Sequence, residues 1–144
     1  MNDTILKFQY PEFLIKEYEN WVVLFRSNQV TLGALVLAYK PNVESLSDVN
    51  KVGFLELETI IKDIEQSLKR MFDYDKINYL TLMMQDKQVH MHVIPRYSSQ
   101  KKNQNKLFLD PGWPGVPDLK YTNELLESEL FILKEYVKNN YHQN

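Results

Sequence analysis

From Gln88 to Val93 the chain alternates polar and apolar side chains, Gln88-Val89-His90-Met91-His92-Val93, and then runs into Ile94-Pro95-Arg96. Alternation of this kind marks a half-buried β-strand, because successive side chains on a strand point to opposite faces. Gln88, His90, His92 and Ile94 therefore share one face, and Val89, Met91 and Val93 share the other, the natural core face. Residues two apart on a strand stand roughly 6.5–7 Å apart. Two imidazoles at that spacing can hold one phosphate, one metal ion or one water between them. Proline has no N–H for a ladder, so Pro95 ends the strand or sits at an edge, and Arg96 lies at the exit beside the histidine face.

The rest of the chain supplies elements around this strand. Phe13 to Tyr18 reads as a short helix after Pro11. Asn20 to Arg26 is a dense β-type run, and Thr31 to Tyr39 is a second, long and largely buried, ended by Pro41 and Asn42. The polar link between them predicts an antiparallel hairpin. Ser47 or Asp48 then caps a helix from about Lys51 to Phe72. Its apolar stripe is Phe54, Leu57, Ile61, Ile64, Leu68 and Met71, with Lys62, Asp63, Glu65, Gln66, Lys69 and Arg70 outside. Ile77 to Met84 is a third strand, joined so directly by Asp86-Lys87 to the histidine strand that the two should be antiparallel neighbours. Ser98 to Lys106 is a polar surface loop. Phe108 to Leu119 holds three prolines and two glycines, which rule out helix and central strand and leave a structured loop around Trp113. Thr122 caps a last helix, Asn123 to about Asn140, with Leu126, Leu130, Leu133 and Val137 at helical spacing. The order predicts an α+β domain spanning 1–144, an antiparallel sheet with helices on one face.

Composition narrows the function. A net charge of −2 gives no electrostatic case for a nucleic-acid partner. With no cysteine, disulfides, thiolate metal sites and a cysteine nucleophile are excluded, which fits a reducing compartment. The start lacks the basic-then-apolar order of a signal peptide, and no apolar run approaches the ~20 residues of a membrane span, so a cytoplasmic protein with no membrane partner is expected. Four scattered glycines make neither a GxGxxG nor a Walker-type loop.

Three chemistries suit the histidine face. Two exposed imidazoles can be purely structural. His-x-His on a strand is also a bidentate metal chelate, with His142, Asp86, Asp110 and Asp118 as further candidate ligands, none at a spacing that points to a metal. The third is nucleophilic attack on phosphorus: a neutral imidazole forms a phosphoramidate that water then opens, while the second imidazole stabilises charge on the phosphoryl oxygens. Trp113 either closes over a ligand or packs its loop, and His142 reads as a frayed terminal residue.

Gln88 to Arg96 resembles the histidine triad (HIT) motif, closest to the diadenosine polyphosphate hydrolase-like branch, in which the triad runs on into an apolar pair, proline and arginine. Met84-Gln85-Asp86 is similar to the same branch. The resemblance is strongest over 20–98 and leaves 99–144 as a C-terminal extension. It implies a HIT-like antiparallel sheet with a long helix and a C-terminal helix packed on it. It implies a nucleotide hydrolase or nucleotidyl transferase acting on a dinucleoside polyphosphate or nucleoside phosphoramidate through a covalent nucleotidyl-histidine. The alternative is a nucleotide-binding or interaction protein with weak or lost catalysis. By the resemblance His90 is the nucleophile and His92 its helper at the phosphate, Gln85, Gln88 and Arg96 face the substrate phosphates, and no metal or cofactor takes part. Homodimers are the family's usual state. The triad is incomplete: Gln88 stands where the first histidine often is, and Ala34 where many members have a fourth. Arg26 falls near the position of an acidic or amide residue that holds the ribose, with Asn28 as a substitute, and the loop before the triad is short.

Overall fold

In the computed structural model, which describes residues 1–142, a five-stranded antiparallel sheet is covered on both faces. Its strands are β1 (Leu14–Glu17), β2 (Trp21–Phe25), β3 (Leu35–Tyr39), β4 (Lys76–Leu80) and β5 (His90–Arg96), in the spatial order β1-β2-β3-β5-β4. Two helices, α2 (Lys51–Phe72) and α3 (Glu127–Asn140), pack on one face. A short helix before the sheet, α1 (Asp3–Lys7), packs on the other. A separate small hairpin, β6 (Lys101–Asn103) with β7 (Lys106–Phe108), follows the sheet.

Every residue of β2 and β3 is buried, which is why both read as unbroken apolar runs instead of alternating ones. Trp21, Val23, Phe25, Leu35, Leu37 and Tyr39 face α2 and α3 in the main core, with Leu57, Ile60, Ile64, Leu68, Leu133 and Val137. The intervening Val22, Leu24, Val36 and Ala38 face Ile5 of α1. Burying each large side chain is worth about 1.5–3 kcal/mol, so the main core carries most of the stability. Gly53 of α2 is required by a close approach. The Trp21 indole donates to its carbonyl at 2.8 Å, and a Cβ there would stand 2.8 Å from the Tyr39 ring.

The sheet, the long helix and the C-terminal helix stand as expected, and several details differ. Residues 14–17 are a strand, not a helix: their backbone pairs with β2 at the sheet edge. The helix α2 is capped by Asn50, whose Oδ1 accepts from the Gly53 N–H at 2.8 Å, while Ser45 caps a separate 3₁₀ turn at Leu46–Asp48. Its stripe is rotated: Ile60 and Phe72 are buried and Phe54 is 47% exposed, because Tyr39 and Val49 pack against Gly53. The strand β4 ends at Leu80, so residues 81–89 form a longer link than the expected tight hairpin, although β4 and β5 are antiparallel neighbours. Within 98–106 lies most of the β6–β7 hairpin. Helix α3 starts at Glu127, with the Glu129 carboxylate accepting from the Leu126 N–H at 2.8 Å. Asn123 is no helix residue but a buried tie, its amide donating to the Gln29 and Leu109 carbonyls. His142 is docked: its N–H donates to Ser67 Oγ at 2.9 Å and its ring nitrogen lies 3.6 Å from the buried Asp63 carboxylate. Helices are not confined to one face, since α1 takes the other. No helix among the described residues is long and apolar enough to cross a membrane.

Candidate functional site

The strand β5 is held between β3 and β4, so its side chains are positioned from both sides. His90 lies opposite Ala38, and His92 sits between Val36 and Leu80. Val93 and Val89 point into the main core and His90, His92 and Ile94 to the opposite face, the division the alternation demands. The two imidazoles meet edge to face, ring centres 5.1 Å apart.

Their second partners make them different. The Nδ1 of His90 lies 2.7 Å from the Gln88 carbonyl, an acceptor only, so Nδ1 carries the proton and Nε2 keeps a lone pair. The Nδ1 of His92 faces the Arg26 Nε at 3.4 Å, a donor only, so His92 is the opposite tautomer, with its proton on Nε2. One ring thus offers a nucleophilic or metal-binding nitrogen and the other an N–H donor. Burial, and after it the Arg26 guanidinium and His90, pushes the His92 pKa down to about 4, against a weaker upward pull from Asp86. His92 is therefore a neutral donor at ordinary pH.

The N-terminal segment closes over the pair. Asn2 caps α1 and donates to the Tyr39 carbonyl at 2.9 Å, and Ile5 is fully buried against β2 and β3. That places the Phe8 ring 5.7 Å from His90 and 5.8 Å from His92. Lys7 then pairs with Asp86 at 2.7 Å, tying α1 to the link before β5. His90 is 1% and His92 7% exposed.

The other residues singled out in the sequence fall elsewhere. Gln88 is committed to α1: its Oε1 accepts from the Thr4 N–H and hydroxyl, and its Nε2 donates to Asn42 at 3.1 Å. Its contribution to the pair is its backbone carbonyl, not the side chain expected to face phosphate. The Arg96 side chain, expected at the substrate phosphates, is likewise engaged by protein groups. Its guanidinium is bidentate to Asp110 at 2.7 and 3.1 Å and also donates to Asn78 and the Gly115 carbonyl. At 3% exposure it anchors the Pro-Gly-Trp-Pro-Gly loop, where Trp113 is half-buried. Gln85 is exposed and lines a cleft of about 440 Å³ with Asp3, Thr4, Lys7 and Asp86, outside the imidazole pair. Asn28 accepts from Arg26 Nη1 through its carbonyl at 2.8 Å, and its amide oxygen is buried with no hydrogen-bond partner among the described residues. Ala34 is buried with Val30 and Ile94.

The further metal ligands considered above are engaged with protein groups. Asp110 is paired with Arg96 and Asp86 with Lys7, Asp118 accepts from the Lys120 N–H, and His142 lies at Asp63. Among the described residues no three His, Cys, Asp or Glu side chains gather as a metal site. Residues missed in the sequence are Phe8 and Thr4. Nothing local marks them, since they reach the site from more than 80 positions away.

No family model matches the chain, and no curated protein matches it. Solved structures do. A histidine triad protein from Bradyrhizobium japonicum superposes with a TM-score of 0.72 at 17% identity, covering 99% of this chain and 97% of its own. One from Sinorhizobium meliloti gives 0.73 at 18% identity, covering 97% and 95%. A hypothetical histidine triad nucleotide-binding protein from Sulfolobus tokodaii gives 0.66 at 16%, covering 95% and 88%. This chain has the histidine triad fold.

Proposed function

We propose that this chain is a HIT-type nucleotide hydrolase or nucleotidyl transferase. It breaks a phosphorus bond of a nucleoside phosphate derivative, a dinucleoside polyphosphate or a nucleoside phosphoramidate, through a nucleotidyl-His90 intermediate. The observation that supports it most is the pair of imidazoles on one strand face with unlike partners, the His90 Nδ1 at the Gln88 carbonyl and the His92 Nδ1 at the Arg26 guanidinium. The Nε2 lone pair of His90 forms the N–P bond as the bond from phosphorus to the leaving group breaks and its electron pair departs with that group. The His92 Nε2–H hydrogen-bonds a phosphoryl oxygen as charge develops. Water, or another acceptor hydroxyl, then attacks phosphorus and gives up its proton to solvent, the N–P bond breaks, and the lone pair returns to Nε2. The Gln88 carbonyl holds the His90 ring and stabilises the imidazolium-like charge of the intermediate. The chain acts as one domain in the cytoplasm, and β4, an edge strand of the sheet, is where a second copy would extend it in a homodimer.

A second reading, a nucleotide-binding protein with weak or lost catalysis, is favoured by one observation: Phe8 lies over both rings and His90 is 1% exposed. Nucleotide release from adenosine 5′-phosphoramidate and diadenosine polyphosphates without added metal, compared with His90→Asn, separates the two. Release that vanishes in the variant supports the hydrolase. Nucleotide binding without His90-dependent release supports the second reading.

A further inference from the structure

We infer that Arg26 is a phosphate-binding residue of this site, one that makes the protein select a phosphorylated nucleotide over the bare nucleoside. The inference rests on the proposed nucleotide chemistry of the histidine pair and adds a cation to it. Arg26 follows β2 directly, and its N–H donates to the Ala34 carbonyl at 3.1 Å. By the alternation of β2, β3 and β5, Arg26, Ala34 and Ile94 form the next row on the face that carries Leu24, Val36 and His92. Ala34 has only a methyl group, so the Arg26 side chain crosses β3 above it and brings its Nε to His92.

What Arg26 lacks is a counter-charge. Arg96 is buried and has a bidentate carboxylate. Among the described residues Arg26 has no carboxylate within ion-pair distance, and the acid that acts on it, Asp86, is already held by Lys7 at 2.7 Å. Of its five N–H groups, one Nε–H is spent on His92 and one Nη1–H on the Asn28 carbonyl. Burial pushes its pKa below the ordinary arginine value, the mark of a charge short of compensation. A half-buried guanidinium left unpaired costs free energy, and its planar fork fits two oxygens of one phosphoryl group. A bound phosphate supplies that missing charge.

The test is calorimetric titration of the full chain with AMP, ADP and adenosine, using wild type, Arg26→Gln, Arg26→Lys and His90→Asn, with thermal melts of each. Charge-assisted bonds of this kind change affinity by about 10- to 100-fold. Arg26→Gln should lose that factor for AMP and ADP, leave adenosine within about threefold, and be partly rescued by Arg26→Lys, which restores charge without the fork. Equal AMP affinity in wild type and Arg26→Gln overturns the inference, as does an equal loss for adenosine, which would mean general damage to the pocket. If wild type binds neither AMP nor ADP, the nucleotide reading itself falls and takes the inference with it. If wild type binds AMP, shows His90-dependent release and ignores Arg26→Gln, only the inference falls.

Discussion

Asp110→Asn tests whether Arg96 anchors the chain or meets a substrate. The change removes one charge and keeps the shape. In the wild type, Arg96 and Asp110 share two hydrogen bonds, with side chains 4% and 1% exposed. Asp110 also accepts from the Tyr97 N–H at 3.1 Å. After the change the guanidinium keeps Asn78 and the Gly115 carbonyl but has no counter-ion in a site closed to water. Removing one partner of a buried pair costs about 3–5 kcal/mol. Unfolding entropy of about 2 cal/mol/K per residue makes each kcal/mol worth about 3 °C at this length, so the melting temperature should fall by roughly 10–15 °C. Replacing both partners, as Arg96→Met with Asp110→Leu, should recover much of the loss, because no charge then stays buried. Circular dichroism melts report the stability and AMP titration the site. A melting temperature within about 3 °C of wild type, together with weakened AMP binding, would refute the anchoring role and return Arg96 to the phosphate.

Two further predictions concern the histidine pair. With its folded pKa lowered to about 4 from an ordinary 6.5, His92 binds fewer protons folded than unfolded, so its contribution is fully present above pH 6.5 and is lost as pH falls toward 4. The groups facing it are Arg26, His90 and Asp86, the last held by Lys7. Imidazole NMR titration should find His92 neutral at pH 5.5, and a midpoint near 6.5 would contradict the burial argument. Phe8→Ala should remove two ring contacts, worth about 0.5–1.5 kcal/mol each, raise the His92 midpoint by admitting water, and speed acylation of the pair by diethyl pyrocarbonate. Unchanged acylation would show that Phe8 does not govern access.

What could be read in the sequence is what local pattern decides. The Gln88–Ile94 alternation placed both histidines on one face because a strand's period is fixed by its backbone. The helix α2 was legible from its repeat, but its rotation was not: which of Phe54 and Ile60 is buried depends on Tyr39 packing against Gly53, a contact across the fold. Residues 14–17 carry no decisive pattern, and pairing with β2 alone makes them a strand. Arg96 illustrates the same limit in the site. Its place at the end of β5 was readable, but its partner Asp110 lies in a loop whose return to β5 no spacing announces. Gln88 sits on the histidine face as the alternation requires, yet Thr4 takes its side chain, and that meeting exists only after α1 docks.

The asymmetry of the two imidazoles follows from the same division between local and distant. His90 gets its tautomer locally: the carbonyl that orients it belongs to Gln88, two residues back on the same stretch, so any chain that extends this strand and keeps the ring in this rotamer fixes a lone pair on Nε2. His92 gets its tautomer from Arg26, which arrives only because β2, β3 and β5 pair in one register and Ala34 leaves room over β3. A His-x-His strand by itself therefore fixes which nitrogen of His90 is open but not the N–H that His92 presents. The orientation of His92 is a product of sheet order, and it comes with a cation. The Gln88 backbone carbonyl orients His90 whatever side chain that position carries, while the cation beside the pair, Arg26, comes from the end of another strand.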